Sequence, residues 1–432
     1  MRVVILGGGL SAISTAYFLQ EKEKIEEIII LEKDDAPGGL CRSIKKDGYT
    51  YDIGPHILFS KDKEMLQLML DVLPAKNDLR RSNQIIYKGR YVQYPFENDL
   101  SKLPEEDLNY CVTQFKNNPY ENYDATNMLQ FFLKTFGEGI TNTYLRPYNE
   151  KIWKYDPSFM DTQMVDRIPK PTHEEIMRSA SGETVDGYVH QLYFSFPSEG
   201  GIEAVVQGFI RKLKDKCTIR CNQDITYVKK TQNGYEVVVN DEVIIVDKVI
   251  STIPIQELGR IYQTPERVKK HINDLRYNSI IIAFVKTKED LSGDNFAFMN
   301  PEKDIIFHRI SKMDFLGDNY KSDSATYMVE VTYRKGDYTD SLTEEQLKNR
   351  IAEGLQKIEF IKEKKDVEFI NITRHQYAYV IYDLCHKSNM DAIREYFSNE
   401  GIVLNGRFGN FEYWNMDRVI RESLNVTERI IF

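Results

Sequence analysis

Gly7, Gly9 and Ala12 in the opening run MRVVILGGGLSA, followed by an acid at Glu32, have the residue types and spacing that can hold a dinucleotide. Small residues let main-chain N–H groups and a helix N-terminus approach a pyrophosphate, and an acid at the end of the next strand can accept from a ribose hydroxyl. Glu32 suits a 2′-hydroxyl and would repel a 2′-phosphate. The same glycine turn also occurs as plain packing, so its meaning depends on the elements around it. Three later stretches carry further glycine turns. APGGLCRS carries Gly38, Gly39 and Arg42, and GYTYDIGPHILFS carries Gly54 and His56. GRFGNFEYWNMD, near the C-terminus, carries a second glycine turn at Gly406, Arg407 and Gly409, ahead of Asn415 and Met416. A histidine such as His56 can be a satisfied turn residue or can face a ligand, and its type alone leaves both open.

The elements that would position these residues follow from periodicity. RVVIL reads as a short buried strand, GGGLSAISTAYFLQEK as a helix with Ala12, Ala16 and Leu19 on one side, and EEIIILEKD as the next strand, ending at Glu32. This βαβ context supplies what the glycine turn needs. From about 65 to 200 the pattern turns helical and aromatic, apart from QIIYKGRYVQYPF. DITYVKK, GYEVVV and EVIIVDKVISTIP read as strands, with a turn at Asn233-Gly234. RYNSIIIAFVK, DIIFHRI and ATYMVEVTY read as strands of another sheet. EKEKIEE and SLTEEQLKNRIAEGLQ read as solvated helical faces. The fold class expected is α/β (mixed α+β): a Rossmann-type domain assembled from discontinuous segments, with a helical insertion and an antiparallel-sheet layer. The division expected is 1–75, 200–270 and 385–432 for the nucleotide domain, 76–199 for the helical domain and 271–384 for the sheet domain.

Composition excludes several classes. A chain of 432 residues, 41% hydrophobic and 28% charged, is that of a globular protein of more than one core. A net charge of −9 argues against bulk affinity for nucleic acid, though not against a local basic pocket. No apolar run is long enough for a membrane span. The N-terminus has no cleavage-site pattern and the five cysteines are scattered, so a reducing, cytoplasmic location is expected and a metal site is not.

The glycine turns at 38–39, 54 and 406–409 resemble the FAD-binding pattern of the amine oxidase and protoporphyrinogen oxidase-like superfamily. The resemblance implies that Gly38, Gly39 and Arg42 lie along FAD, that the turn carrying His56 reaches the flavin ring, and that the C-terminal turn covers the pyrophosphate. Further stretches resemble the UDP-galactopyranose mutases within it. QYPFENDLSKLP (93–104) is similar to their stretch near the nucleobase, implying substrate contacts from Tyr94 and Glu97. GEGITNTYLRPYNEKIWKYDP (137–157) is similar to their most distinctive signature and implies an active-site Trp153. DRIPKP (166–171) and IIFHRI (305–310) would supply two diphosphate arginines, Arg167 and Arg309; YAYVIYD (377–383) and the C-terminal stretch would supply Tyr379 and Tyr413. Two guanidiniums converging on a pyrophosphate form charge-assisted, often bidentate hydrogen bonds. A tyrosine in an aromatic-rich strand is as often core.

What the resemblance implies is an isomerase that interconverts pyranose and furanose forms of a nucleoside-diphosphate sugar, in polysaccharide biosynthesis. N5 of reduced FAD acts as the nucleophile while the diphosphate leaves and returns, with no net oxidation. His56 then positions a hydrogen bond near N5. It also implies an external reductant, NAD(P)H or another. Monomer and homo-oligomer both stay open. Two departures qualify it. Glu97 stands where Gln or Asn is usual, and an ionised carboxylate only accepts, which suits guanine or cytosine better than uracil. Asn415 stands where Asp is usual. An FAD-dependent oxidase of the porphyrinogen or amine type, or a flavin-binding scaffold without chemistry, would not need Arg167 or Arg309.

Overall fold

The computed structural model describes residues 1–168, 170–183, 185 and 192–430; the side chains of residues 166 and 167 are outside the description. The nucleotide-domain framework is a parallel five-stranded sheet in the order Val403–Leu404, Lys248–Ser251, Arg2–Leu6, Glu27–Leu31, Cys217–Arg220. Its strands come from both ends and the middle of the chain. Arg2–Leu6 is central, and its last four residues are buried, as a parallel strand covered on both faces requires. The helix Leu10–Leu19 and the C-terminal helix Met416–Arg429 pack on this sheet. Ser14, Asn405 and Ser423 tie the two helices and the last turn together by hydrogen bonds of 2.9–3.0 Å.

The second layer is a seven-stranded sheet in the order Val367–Ile381, Arg276–Thr287, Ala325–Tyr333, Arg309–Lys312, Ala297–Met299, Asn83–Tyr87, Arg90–Gln93. Alternation along Arg276–Thr287 separates two cores. Ile281, Ala283 and Val285 face the helix Glu344–Lys357, whereas Ile280, Ile282 and Phe284 face the interior shared with the helical segment. Strands 83–87 and 90–93, within the run QIIYKGRYVQYPF set apart from the helical pattern, pair with each other and join this sheet through Ala297–Met299. A separate pairing, Lys76–Arg80 with Tyr193–Pro197, was not expected.

The helical segment contains Glu105–Lys116, Met128–Ile140, the π-helical turn Thr141–Leu145 and Arg146–Trp153. Gly139 lets the first two approach: a Cβ there would stand 2.6 Å from Cys111 Cα. No helix among the described residues is long and apolar enough to cross a membrane.

Two sequence expectations are corrected. EKEKIEE is not helical, because the first helix ends at Leu19 and a turn leads into the strand Glu27–Leu31. In DIIFHRI only Arg309 and Ile310 are strand. Ile305 and Phe307 are buried from a turn, packed on the helix Glu344–Lys357 where Gly354 makes room for the Phe307 ring. Their apolar run reported burial, not pairing.

Candidate functional site

A cleft of about 1270 Å³ runs from the glycine turn after the first strand to the face of the seven-stranded sheet. At its nucleotide end, Gly7 takes φ +92° and Gly7 N–H donates to Leu31 O over 2.8 Å, closing the turn. Gly8 N–H donates to the Glu32 carboxylate over 2.7 Å, and Asp34 N–H donates to its other oxygen over 2.9 Å. The second turn is locked against the first: Gly38 N–H donates to Gly8 O over 2.8 Å, and a Cβ on Gly39 (φ +55°) would lie 3.2 Å from Gly9 Cα. Arg42 lines the same wall and pairs with Asp35 at 2.9 Å. Ala12 is fully buried within the first helix and does not line the cleft.

These residues fit a dinucleotide. The helix Leu10–Leu19 begins at Gly9 with no side-chain cap and no acid in its first turn, so its N-terminal N–H groups and partial positive charge face the cleft. Ser11 Oγ is buried beside it without a hydrogen-bond partner among the described residues. A pyrophosphate oxygen would satisfy both.

The C-terminal turn closes this end. Gly406 takes φ +87°, and a Cβ there would stand 2.8 Å from Ser11 Oγ. A Cβ on Gly409 would stand 2.1 Å from Asn405 O and 3.0 Å from Ser251 O. Arg407 is fixed by donating to Trp414 O (3.2 Å) and Ala378 O (2.7 Å), its guanidinium 4.2 Å from the centre of the Tyr413 ring. Asn415 precedes the first residue of the last helix, Met416, and both line the cleft.

His56 and Gly54 (φ +89°) stand midway along the cleft. Nδ1 of His56 is buried with no hydrogen-bond partner among the described residues. Burial, then the charges of Arg407 and Arg309, push its pKa down to about 4, so the imidazole is neutral at neutral pH.

The far end is polar. Arg309 and Glu330 stand directly opposite each other in adjacent antiparallel strands. They form a bidentate pair, Nε to Oε1 at 2.5 Å and Nη2 to Oε2 at 2.6 Å, although Glu330 has no exposed surface of its own. Glu330 holds the Arg309 guanidinium well above its ordinary pKa against the cost of burial. Tyr379 donates to Glu330 over 3.2 Å and lies 3.4 Å from Arg309 Nη2. His308, fully buried and pushed well below its ordinary pKa by burial, lies 3.9 Å behind Glu330. Tyr94, Tyr148 and Tyr413 complete this wall.

Of the remaining expected residues, Trp153 does not line the cleft. It stands edge-on behind Tyr379 and Tyr413, with centroids 5.8 and 5.5 Å away, and its indole N–H donates to Asn149. Arg167 ends the short helical turn Thr162–Arg167, but its side chain lies outside the described residues. Glu97 is 2% exposed, away from the lining, with Oε1 unpartnered among the described residues. Burial raises its pKa to about 7. A carboxyl that is partly protonated at neutral pH can donate as well as accept, so the argument against uracil no longer follows from its charge.

This shift carries a stability prediction. A carboxyl raised from 4.5 to about 7 on folding leaves the fold undisturbed below pH 4.5 and costs stability as pH rises through 7. Glu97→Gln is therefore expected to stabilise the protein at pH 8, by on the order of 1–3 kcal/mol, with little effect at pH 4.5. Thermal melts of both proteins at the two pH values measure this; an equal difference at both would contradict it.

Sequence reasoning missed Glu330 and Tyr148, and also Arg81, which lines the same cleft just after the strand Lys76–Arg80. The signal for Glu330 was a lone carboxylate inside ATYMVEVTY, a strand buried throughout. Tyr148 lies within the RPYNEKIW run, but its facing was not legible. No cluster of three potential metal ligands occurs among the described residues.

The model of the flavin containing amine oxidoreductase family matches residues 10–386. Coproporphyrinogen III oxidase of Staphylococcus aureus is 22% identical over 287 residues, 59% of this chain and 60% of the relative, so the match spans less than two thirds of that enzyme. Among solved structures, reduced UDP-galactopyranose mutase superimposes with a TM-score of 0.89 at 23% identity, covering 99% of this chain and 95% of the other. A putative protoporphyrinogen oxidase from Exiguobacterium superimposes with a TM-score of 0.78 at 17% identity, covering 99% and 98%. At these identities the likeness is one of fold.

Proposed function

The chain belongs to the flavin containing amine oxidoreductase family, with FAD as its cofactor, and from that premise we propose that it interconverts the pyranose and furanose forms of a nucleoside-diphosphate sugar without net oxidation. The single observation that carries this reading is the far end of the cleft. An apolar amine or a hydrophobic polyene would call for an apolar tunnel there; instead a partly exposed guanidinium, Arg309, is held by the fully buried Glu330 among four phenols. That is the lining a diphosphate needs.

When bound and reduced, FAD supplies a nucleophilic N5 for the anomeric carbon. Gly7, Gly9, Gly38, Gly39, Glu32 and Ser11 hold its nucleotide half, and the 406–409 turn excludes water above it. Arg309 takes up the negative charge that develops on the departing diphosphate, with Tyr413 donating from the same wall and Tyr379 donating once its single O–H turns from Glu330 to the phosphate. Glu330 keeps the guanidinium in one plane while it does so. Arg167 is the second guanidinium of this account, on the loop after residue 162. Neutral His56 offers one hydrogen bond at the flavin edge and does not exchange a proton near neutral pH. Trp153 supports the two phosphate tyrosines from behind. The diphosphate returns to the same carbon after the ring recloses through another hydroxyl, so bonds broken and formed balance and no electrons are lost.

A second reading has its own support. The S. aureus relative carries an oxidase name, and guanidiniums also suit the carboxylates of a porphyrinogen. Anaerobic incubation of dithionite-reduced enzyme with UDP-, GDP-, CDP- and dTDP-sugars distinguishes the two. The mutase reading expects a product of equal mass and different retention from one of them. No such product, together with oxygen uptake in a parallel aerobic incubation of the oxidised enzyme with a porphyrinogen, would replace it with the oxidase.

A further inference from the structure

We propose that Asn278 and Arg334 are positioning residues for the phosphate wall: together they clamp the end of the helix Arg146–Trp153 and so fix where the phenols of Tyr148, Tyr379 and Tyr413 stand in the cleft. The inference rests on the nucleotide-sugar reading above and extends it to two residues that do not line the cleft.

A helix leaves its last carbonyls without partners of its own. The helix Arg146–Trp153 stops at Lys154, which takes φ +49° without the glycine that commonly serves there. Its last two carbonyls are taken up by side chains from the seven-stranded sheet. Asn278, fully buried in the strand Arg276–Thr287, donates from Nδ2 to Ile152 O over 3.0 Å and to Trp153 O over 2.6 Å. Its Oδ1 accepts from Arg334 Nε over 2.7 Å, and Arg334 Nη2 donates to Trp153 O over 3.0 Å. Two carbonyls on one side and a guanidinium on the other leave the amide a single orientation. Arg334 follows directly on the neighbouring strand Ala325–Tyr333. Its guanidinium lies 5.1 Å from the centre of the Tyr155 ring and brings a positive charge to the negative end of the helix.

The clamp bears on the wall because it closes a circuit. Tyr379 stands directly opposite Asn278 in the adjacent strand, Val367–Ile381. The Trp153 ring, whose main chain Asn278 holds, stands edge-on to the rings of Tyr379 and Tyr413. One asparagine is thus tied by its main chain to a phosphate phenol and by its side chain to the indole that backs it. Just beyond this point the strand pairing is irregular: it passes from Asn278 opposite Tyr379 to Ile280 opposite His375, and Ser279 Oγ donates to Gln376 O over 2.8 Å across the bulge. The regular ladder stops beside Tyr379, so the indole behind the ring supplies a constraint that the ladder does not. Tyr148 and Ile152 line the cleft from the same helix, so a displaced helix end moves that part of the wall as well.

The test uses the FAD-loaded protein, thermal melts, and the shift of the oxidised flavin spectrum on titration with nucleoside diphosphates and with the matching nucleosides. Wild-type protein is expected to bind one diphosphate more tightly than its nucleoside. Asn278→Asp keeps the acceptor for Arg334 and loses both donors to the helix. In that variant and in Arg334→Gln the preference for the diphosphate is expected to fall roughly tenfold, as charge-assisted donors lose their alignment, with FAD content unchanged. Arg334→Lys keeps the charge and one donor, is expected to lose about threefold, and decides the matter if the other two variants lose FAD. An unchanged preference in the FAD-loaded variants, with or without a lower melting temperature, would reduce the clamp to a structural contact and leave the mutase reading in place. Wild-type protein that does not discriminate a diphosphate from its nucleoside would overturn both.

Discussion

Arg309→Ala is expected to lower the rate of nucleotide-sugar interconversion by roughly two to three orders of magnitude, the effect of removing one donor aimed at developing negative charge, ~3–4 kcal/mol. It is also expected to destabilise the protein. Glu330 has no exposed surface, and its carboxylate is bound by Arg309 through both oxygens. Taking away one partner of a buried pair leaves an uncompensated charge, typically a loss of ~3–5 kcal/mol. The two effects separate in a double-mutant cycle. Arg309→Met with Glu330→Gln removes both charges and should recover most of the lost stability, because a buried pair replaced as a unit is often near neutral. It should recover none of the activity. Steady-state turnover and thermal melts of the two single variants and the double variant read both quantities. Wild-type turnover in Arg309→Ala would remove the arginine from the chemistry, and equal melting temperatures in the single and double variants would remove the buried pair from the account of stability.

Gly409→Ala is expected to abolish FAD binding. The new Cβ would stand 2.1 Å from Asn405 O and 3.0 Å from Ser251 O, both main-chain atoms, so relief requires the turn itself to move. That turn is anchored by Asn405 N–H to Ser251 O at 2.9 Å and by Ile255 N–H to Phe408 O at 3.0 Å. It also sets Gly406 against Ser11 and places Arg407 over Tyr413. A shift here opens the nucleotide end of the cleft and loosens the wall at the other end together. Gly89→Ala is the control: φ is +74°, yet nothing lies within 4 Å, so only the backbone preference is lost, ~1 kcal/mol. Flavin absorbance per protein as purified is expected to fall more than tenfold in Gly409→Ala and to stay unchanged in Gly89→Ala. Equal flavin content in the two would show that the turn is dispensable for the cofactor.

The parts of this molecule that were legible in the sequence are those fixed by local pattern. The strand, glycine turn, helix, strand and acid from Arg2 to Glu32 lie within one stretch of chain, and each step constrains the next. Of the parallel sheet's other strands, Lys248–Ser251 was legible as an apolar run, whereas the short Cys217–Arg220 and Val403–Leu404 were not, and the runs between 225 and 246 pair into a separate antiparallel sheet. What depended on three-dimensional register was not legible. Arg309 was singled out, but its opposite number Glu330 lies in another strand and only the pairing of the two strands brings them face to face. Arg81 lies at a strand end whose partner, Tyr193–Pro197, is more than a hundred residues away. Trp153 and Glu97 went the other way. Motif context suggested that they face the substrate, whereas helix packing turns the first behind two tyrosines and buries the second outside the lining. Apolar runs such as IIF at 305–307 report that a segment is inside, not that it is a strand, because a turn pressed on a helix hides its side chains equally well.

The central claim is that the cleft of this flavoprotein grips a diphosphate and carries out an isomerisation with no electrons lost. The most direct measurement is the redox balance of turnover: enzyme reduced once by dithionite, kept free of oxygen and given excess of the nucleotide sugar that it binds. The account predicts many equivalents of isomer per flavin, with the flavin still reduced at the end and no activity in the oxidised enzyme. Product limited to one equivalent per flavin, or formed only as oxygen is consumed, would contradict it.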